Sequence, residues 1–199
     1  MTATLHRPAP PRESIDAWVI GGARLLAGLC NGASLDLRAH LATHGPMPGT
    51  DLEHLLAHLD AVGGLAGRGG AGFPFAAKLR ALAPGRRRVI VNGTESEPGS
   101  HKDRVLLRRA PHLVLDGALA VAGAVGARRV TVAVHDDATA ARLRVALGER
   151  PDGRRVDVRV IRGGFVAGEA RAVERALDGG PAVPPGRRTP GTVNGSLLS

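Results

Sequence analysis

Cysteine is nearly absent: Cys30 is the one thiol in 199 residues. A single cysteine excludes an internal disulfide framework, a CxxC redox pair and a four-cysteine iron–sulfur site within this sequence. Aromatic residues are scarce too, at 2%, and amount to Trp18, Phe73, Phe75 and Phe165 with no tyrosine. A platform that stacks single-stranded bases needs several aromatic faces, so the sequence argues against a nucleic-acid partner of that kind. Long apolar runs are missing. Ala17–Cys30 is apolar but broken by Arg24 and too short to cross a bilayer. The first residues carry Pro8, Pro10 and Pro11 and no apolar signal segment. The expectation is a cytoplasmic protein with no direct membrane insertion.

What remains is ordinary for a globular chain, with 43% hydrophobic and 23% charged residues, enough for one substantial core. The formal net charge of +9 points toward an anionic partner. The basic residues temper that reading. All but Lys78 and Lys102 are arginine, and they are scattered, with short runs such as Arg86-Arg87-Arg88. Together with abundant alanine and 28 glycines, this reads as a compositional bias toward Arg, Ala and Gly.

Along the chain, residues 1–12 read as a tail. Helical periodicity follows around Ser14–Cys30 and again at Leu35–Thr43, then a turn at His44-Gly45-Pro46. Asp51 is placed to cap a helix running to about Val62, with Leu52, Leu55, Leu56 and Leu59 on one face. A glycine-dense loop, Gly63–Gly72, leads to a helical stretch near Phe75–Leu82. From there strands and helices alternate: strand Arg88–Asn92, helices at Asp103–Arg109 and His112–Val125 parted by Pro111, strand Arg129–Val134, a helix to Leu147 capped by Asp136-Asp137, strand Arg155–Ile161, and a helix near Glu169–Leu177. Gly179–Pro190 should be irregular. Such alternation predicts an α/β fold, a Rossmann-like parallel sheet with flanking helices. The expected division is an N-terminal tail and helical extension over 1–50 and one domain over 51–199.

Two loops carry chemistry. Gly67-x-Gly69-x-x-Gly72 satisfies a dinucleotide fingerprint, but in a chain with 28 glycines that spacing arises by chance about half a time per sequence. The loop also follows a helix-patterned segment, whereas a Rossmann fingerprint follows a strand. Its physics is more telling. Glycines permit close backbone approach, the next helix points unpaired N–H groups at whatever sits there, and Arg68 and Lys78 add positive charge. Either a phosphate cradle or a flexible interhelical linker fits. The second loop, Asn92–Arg104, follows the first strand, where α/β folds bind ligands. Asn92 offers an amide and Glu95 and Glu97 offer carboxylates for ring N–H groups or hydroxyls. The alternative is a solvated turn that caps the next helix. His135-Asp136-Asp137 could likewise be a metal cluster but reads better as a strand end followed by helix caps.

Taken in order, these loops resemble the flavoprotein (51-kilodalton) subunit of NADH:quinone oxidoreductase, respiratory complex I, and its relatives in soluble hydrogenases and formate dehydrogenases. That family carries G-L-R-G-R-G-G-A-G-F-P-T-G-x-K, and Gly64–Lys78 reads G-L-A-G-R-G-G-A-G-F-P-F-A-A-K. It carries N-A-D-E-G-E-P-G-T-x-K-D-R, and Asn92–Arg104 reads N-G-T-E-S-E-P-G-S-H-K-D-R. A third block, Y-x-C-G-E-E-T-A-L-L-x-S-L-E-G, is matched in part by Phe165–Gly179, and a fourth, P-T-x-V-N-N-V-E-T, by Pro190–Gly195.

The resemblance implies a Rossmann-like fold that binds FMN, which takes a hydride from NADH. Carried over by position, Gly67, Arg68, Gly69, Gly70, Gly72 and Lys78 would surround the flavin. Asn92, Thr94, Glu95, Gly168 and Glu169 would line it, and Asn194 would stand near the phosphate. Phe73 would stack on NADH and Glu97 would bond its ribose. Hydride passes directly between the two rings, so no catalytic acid or base and no metal site are implied. With Cys30 alone, this chain holds no iron–sulfur cluster, and electrons would go to another chain, ferredoxin-like or an iron–sulfur subunit. The chain ends at Ser199, inside the fourth block. The expectation is therefore truncation before the family's ubiquitin-like and [4Fe–4S] domains. Thr94 replaces the family's aspartate and Ala170 its second glutamate, and no phenylalanine follows Pro184-Pro185-Gly186. These departures leave open a non-catalytic flavin- or nucleotide-binding module, or a gene fragment.

Overall fold

The computed structural model describes residues 25–29, 34–66, 72–82, 87–95, 99–184 and 196–198. Hydrophobic periodicity and capping set the first helices. Asp36 accepts from the Ala39 amide to start α1 (Leu37–His44), and Asp51 accepts from the His54 amide to start α2 (Leu52–Ala61). A short α3 (Phe75–Arg80) follows the glycine loop and buries Ala76 and Leu79. The expected helix at Ser14–Cys30 lies mostly outside the described residues, and Leu25–Gly28 form a turn.

The β-branched run Val89-Ile90-Val91 lies at the heart of β1 (Arg88–Gly93). The chain then continues through α4 (Lys102–Arg109), α5 (Pro111–Ala124), β2 (Val130–Val134), α6 (Asp137–Gly148) and β3 (Val156–Val160), and on to α7 (Ala170–Leu177) and β4 (Ser196–Leu198). Pro111 takes the first turn of α5, where its missing N–H costs nothing. Asp136 caps α6 through the Thr139 amide.

All four strands are parallel, in the order β3-β2-β1-β4. The alternation in the sequence predicts the first three strands and not β4. A three-residue strand after a Gly- and Pro-rich stretch offers too short a pattern to register as one. The strand order places the ligand crevice. From β1 the chain winds outward to β3, then returns through α7 to pair β4 on the other side of β1. The carboxyl ends of β1 and β4 therefore border a topological switch point, the ligand crevice of doubly wound sheets.

Strand alternation sorts the core into two faces. Val89, Val130, Val132, Val134 and Val156 pack with Leu107, Leu115, Leu143 and the buried residues of α2 and α3. Ile90 and Ala133 face the other way, against Ile161 and Val173 of the α7 side. Gly93 lies where β1 passes under α4. A Cβ there would stand 2.4 Å from Leu107 Cδ1 and 3.1 Å from the Ala133 carbonyl oxygen. The related family motif has alanine at this position; here Leu107 takes up that space.

Residues 34–44 are fastened to α4, to α5 and to the residues just after α6 by polar contacts. The Leu35 amide donates to the Arg109 carbonyl at 2.9 Å and the Leu37 amide to Glu149 Oε2 at 2.8 Å. Fully buried His40 meets Asp116 Oδ2 through Nε2 at 2.7 Å, and Arg150 Nη2 reaches the other oxygen of Asp116 at 2.7 Å. His112, also buried, meets Glu149 Oε2 at 3.0 Å and lies 5.6 Å from His40, centroid to centroid.

Burial, joined by the charge of Arg150 and by His40, pulls the His112 pKa below its ordinary value, outweighing the opposing pull of Glu149. The folded state therefore resists protonating His112 more than the unfolded chain does. Its contribution to stability is whole above about pH 6.5 and is lost as pH falls toward the lowered folded value. The melting temperature should be lower at about pH 5.5 than at about pH 7.5. Equal values would contradict a buried neutral histidine here.

Candidate functional site

Four of the expected site residues, Asn92, Thr94, Glu95 and Gly168, lie at the carboxyl end of β1. Asn92, the fifth residue of the strand, points to the α7 side, where its Nδ2 donates to the Gly168 carbonyl at 2.9 Å. Its Oδ1 accepts twice, from the Thr94 amide at 3.2 Å and from Thr94 Oγ1 at 2.6 Å. These bonds fix the amide's orientation and tie the loop after β1 to the turn before α7. Thr94 is buried, and its hydroxyl proton is committed to Asn92, so its remaining lone pairs can only accept. In this position threonine acts as a neutral acceptor where the related family motif has a carboxylate.

Glu95 follows, half-buried, and is gripped at one oxygen. Ser100 Oγ donates to Oε1 at 2.5 Å and the Asp103 amide to the same atom at 3.3 Å. Burial acts to raise its pKa, but the Ser100 hydroxyl, the amides of Asp103 and Arg104 and the charge of Lys102 together hold it below the ordinary carboxylate range. Its other oxygen, Oε2, is buried and without a hydrogen-bond partner among the described residues. The sequence alone does not single out Ser100 or the start of α4. Nothing in the spacing Glu95-x-x-x-x-Ser100 distinguishes a carboxylate clamp from a polar loop.

Glu169 caps α7 through its backbone, its carbonyl accepting from Val173, and its side chain is exposed. Phe73 is 51% exposed, an uncovered ring on the loop that enters α3. Beside it Gly72 adopts φ 56°, and no described residue would meet a Cβ there within 4 Å. Lys78 is half-buried on α3 and makes no ion pair among the described residues. The described contacts do not join Gly72, Phe73 and Lys78 to the Asn92 group. Gly67, Arg68, Gly69, Gly70, Glu97 and Asn194 lie outside the described residues. The glycine loop does follow a helix, α2, and an isolated antiparallel bridge between Ala66 and Pro74 closes its base. Asp136, expected as a cap, also holds Arg108 Nη2 at 2.7 Å, and exposed His135 stands outside that pair. Among the described residues no group of three or more His, Cys, Asp or Glu is placed to hold a metal ion.

These features suit a ligand with ring N–H groups, hydroxyls and a phosphate. Among the described residues, a buried acceptor without a donor, an acceptor-only hydroxyl, an unpaired lysine and an open glycine backbone are complementary to such a molecule. Comparison with known proteins agrees. Residues 61–198 match the family model described as the Nuo51 FMN-binding domain. The chain belongs to that family.

Among relatives of the Nuo51 domain, an NADH-quinone oxidoreductase subunit of Aquifex aeolicus (strain VF5) is 33% identical over 132 residues, covering 58% of this chain and 31% of the relative. A subunit of the ion-translocating oxidoreductase complex of Pectobacterium atrosepticum is 35% identical over 130 residues, covering 64% and 18%. A solved NAD+-reducing [NiFe]-hydrogenase in its H2-reduced state aligns with a TM-score of 0.62 and 31% identity, over 74% of this chain and 28% of that one. The chain thus spans about a third or less of the relatives it matches. The Rossmann-like α/β expectation and the family resemblance are both borne out. Among the described residues no helix is long and apolar enough to cross a membrane.

Proposed function

We propose that this Nuo51 domain binds FMN in the crevice beside β1, accepts a hydride from NADH and passes electrons to a partner chain in the cytoplasm. The observation that carries the reading is the Asn92–Thr94–Glu95–Gly168 cluster at the sheet's switch point, with Glu95 Oε2 buried and unpartnered, inside the matched region. When bound, FMN supplies the acceptor for the hydride of NADH. The residues of this chain bind and orient. Glu95 and Thr94 accept from ring N–H groups or ribityl hydroxyls, while Asn92 and Gly168 hold the two loops at a fixed separation. Lys78 and the glycine backbone of Gly67–Gly72, with Arg68, would hold the phosphate, and Asn194 and Glu169 would complete the rim. Phe73 would cover the nicotinamide and Glu97 would bond its ribose. No side chain of the cluster is required as acid or base, and none is assigned as one. The electron-accepting partner would be a ferredoxin-like or iron–sulfur chain.

A second reading, a module that binds flavin without turning over, is favoured by Thr94, which removes one negative charge from the cluster relative to the family motif. Titration of FMN with the full chain, followed by quenching of flavin fluorescence, tests binding. Saturable one-to-one quenching is expected, weakened about tenfold by Glu95→Gln, which sets a donor where Oε2 accepts. Absence of quenching by folded protein would overturn the assignment.

A further inference from the structure

The sheet is also concave at its other end. Where β1 and β2 begin, at the opposite end of β1 from Asn92, the face shared with α7 is open among the described residues. A hollow of about 760 Å³ lies there, lined among the described residues chiefly by Arg87, Arg88, Arg128, Arg129, Thr131 and Asp157. Strand parity explains the opening. Arg88, Thr131 and Asp157 share the face of Ile90 and Ala133, but the apolar cluster with α7 is built on Ile90, Ala133, Ile161 and Val173. Thr131 and Asp157, side by side across β2 and β3, line the hollow and stand outside that cluster.

The hollow's charge is unbalanced. Arg88 Nη1 is paired with Asp178 at 2.7 Å and Arg129 Nη1 with Asp157 at 3.4 Å. Arg87 spends one donor on the Val125 carbonyl at 2.8 Å, and its Nε is buried without a partner among the described residues. Exposed Arg128 makes no hydrogen bond or ion pair among the described residues. Four guanidinium groups thus face two carboxylates, and each guanidinium has five N–H donors, most of them unspent. Like charges gathered around a concavity raise the local potential, and an anion entering it gains from every one of them. The hollow has the volume of a small-molecule site, and guanidinium forks suit phosphate and carboxylate groups.

We infer that this hollow is a binding site for a small organic polyanion carrying at least two phosphate or carboxylate groups, separate from the flavin crevice. Binding is read from amide shifts of the full 15N-labelled chain, titrated with pyrophosphate in one arm and citrate in the other at constant ionic strength. Saturable shifts centred on Gly126, Thr131 and Asp157 are expected with at least one of them, and the tighter arm names the preferred group. Arg128→Gln combined with Arg129→Gln should weaken that binding about tenfold or more. Arg38→Gln combined with Arg144→Gln, exposed arginines of α1 and α6, should leave it unchanged. Arg128→Gln alone removes a side chain with no internal partner among the described residues, so a loss of affinity there is independent of folding. Shifts that never saturate, that spread equally around Arg38 and Arg144, or that survive in Arg128→Gln/Arg129→Gln would overturn the site. So would tighter binding of a single-stranded oligonucleotide than of either small anion.

Discussion

Asp116→Ala is expected to destabilise the fold by about 3 kcal/mol, the low end of what removing one partner of a buried ion pair costs. The Asp116 carboxylate joins three elements. Its Oδ2 meets His40 of α1 and its Oδ1 meets Arg150 beyond α6, with the Arg150 side chain 8% exposed and that of His40 1%. Alanine leaves both partners buried. Arg150 keeps Asp152, at 2.9 Å from Nε, which holds the cost at the low end, but His40 loses the hydrogen bond of its Nε2 while its Nδ1 already lacks a partner among the described residues. Urea unfolding measures the loss, and amide exchange locates it: residues 34–44 should lose protection first, because their contacts with α5 run through this cluster. A cost below about 1 kcal/mol would mean that the cluster is not what holds α1.

Asn92→Asp should have the largest effect on the proposed flavin crevice. The change keeps the shape and removes a donor. In place of Nδ2–H donating to the Gly168 carbonyl at 2.9 Å, a carboxylate oxygen would face that carbonyl oxygen. Thr94 can still donate to the other oxygen. The loops after β1 and before α7 would be pushed apart, which opens the crevice at the cluster that would orient FMN. The expected loss is about 2–3 kcal/mol of stability and about a hundredfold in FMN affinity. Asn92→Ala removes the bond to Gly168, and those from Thr94 with it, but sets no charge against the carbonyl, so it should be the milder variant in both measurements. Asn92→Ala equal to or worse than Asn92→Asp would show that the amide only fills space.

The sequence holds the sheet and its helices in plain view where one element's pattern is self-contained. Val130–Val134 is an almost wholly buried apolar run, Asp51 and Asp136 cap the helices they precede, and Pro111 opens α5. It does not hold what depends on contacts between distant segments. The His40–Asp116–Arg150 cluster spans residues 76 apart for its first pair, and no periodicity in either segment announces it. β4 becomes a strand because β1 offers it an edge, with Arg88 opposite Ser196, and a three-residue segment has no pattern of its own. The site divides the same way. Asn92, Glu95 and Gly168 are legible from their motif blocks, but only the fold shows that Asn92 bridges to Gly168, 76 positions away, or that Ser100 leaves one oxygen of Glu95 satisfied and the other bare. Thr94 reads in the sequence as a lost carboxylate. The fold shows an acceptor held in place by the amide of Asn92.

The most direct test of the central claim is to load the full chain with FMN and add NADH without oxygen. Loss of the flavin's visible absorption with one equivalent of NADH is expected, needing no other chain, because hydride transfer requires two rings held in contact and no protein acid or base. Bound flavin that keeps its absorption in the presence of excess NADH would contradict it and leave a flavin-binding module without the reaction.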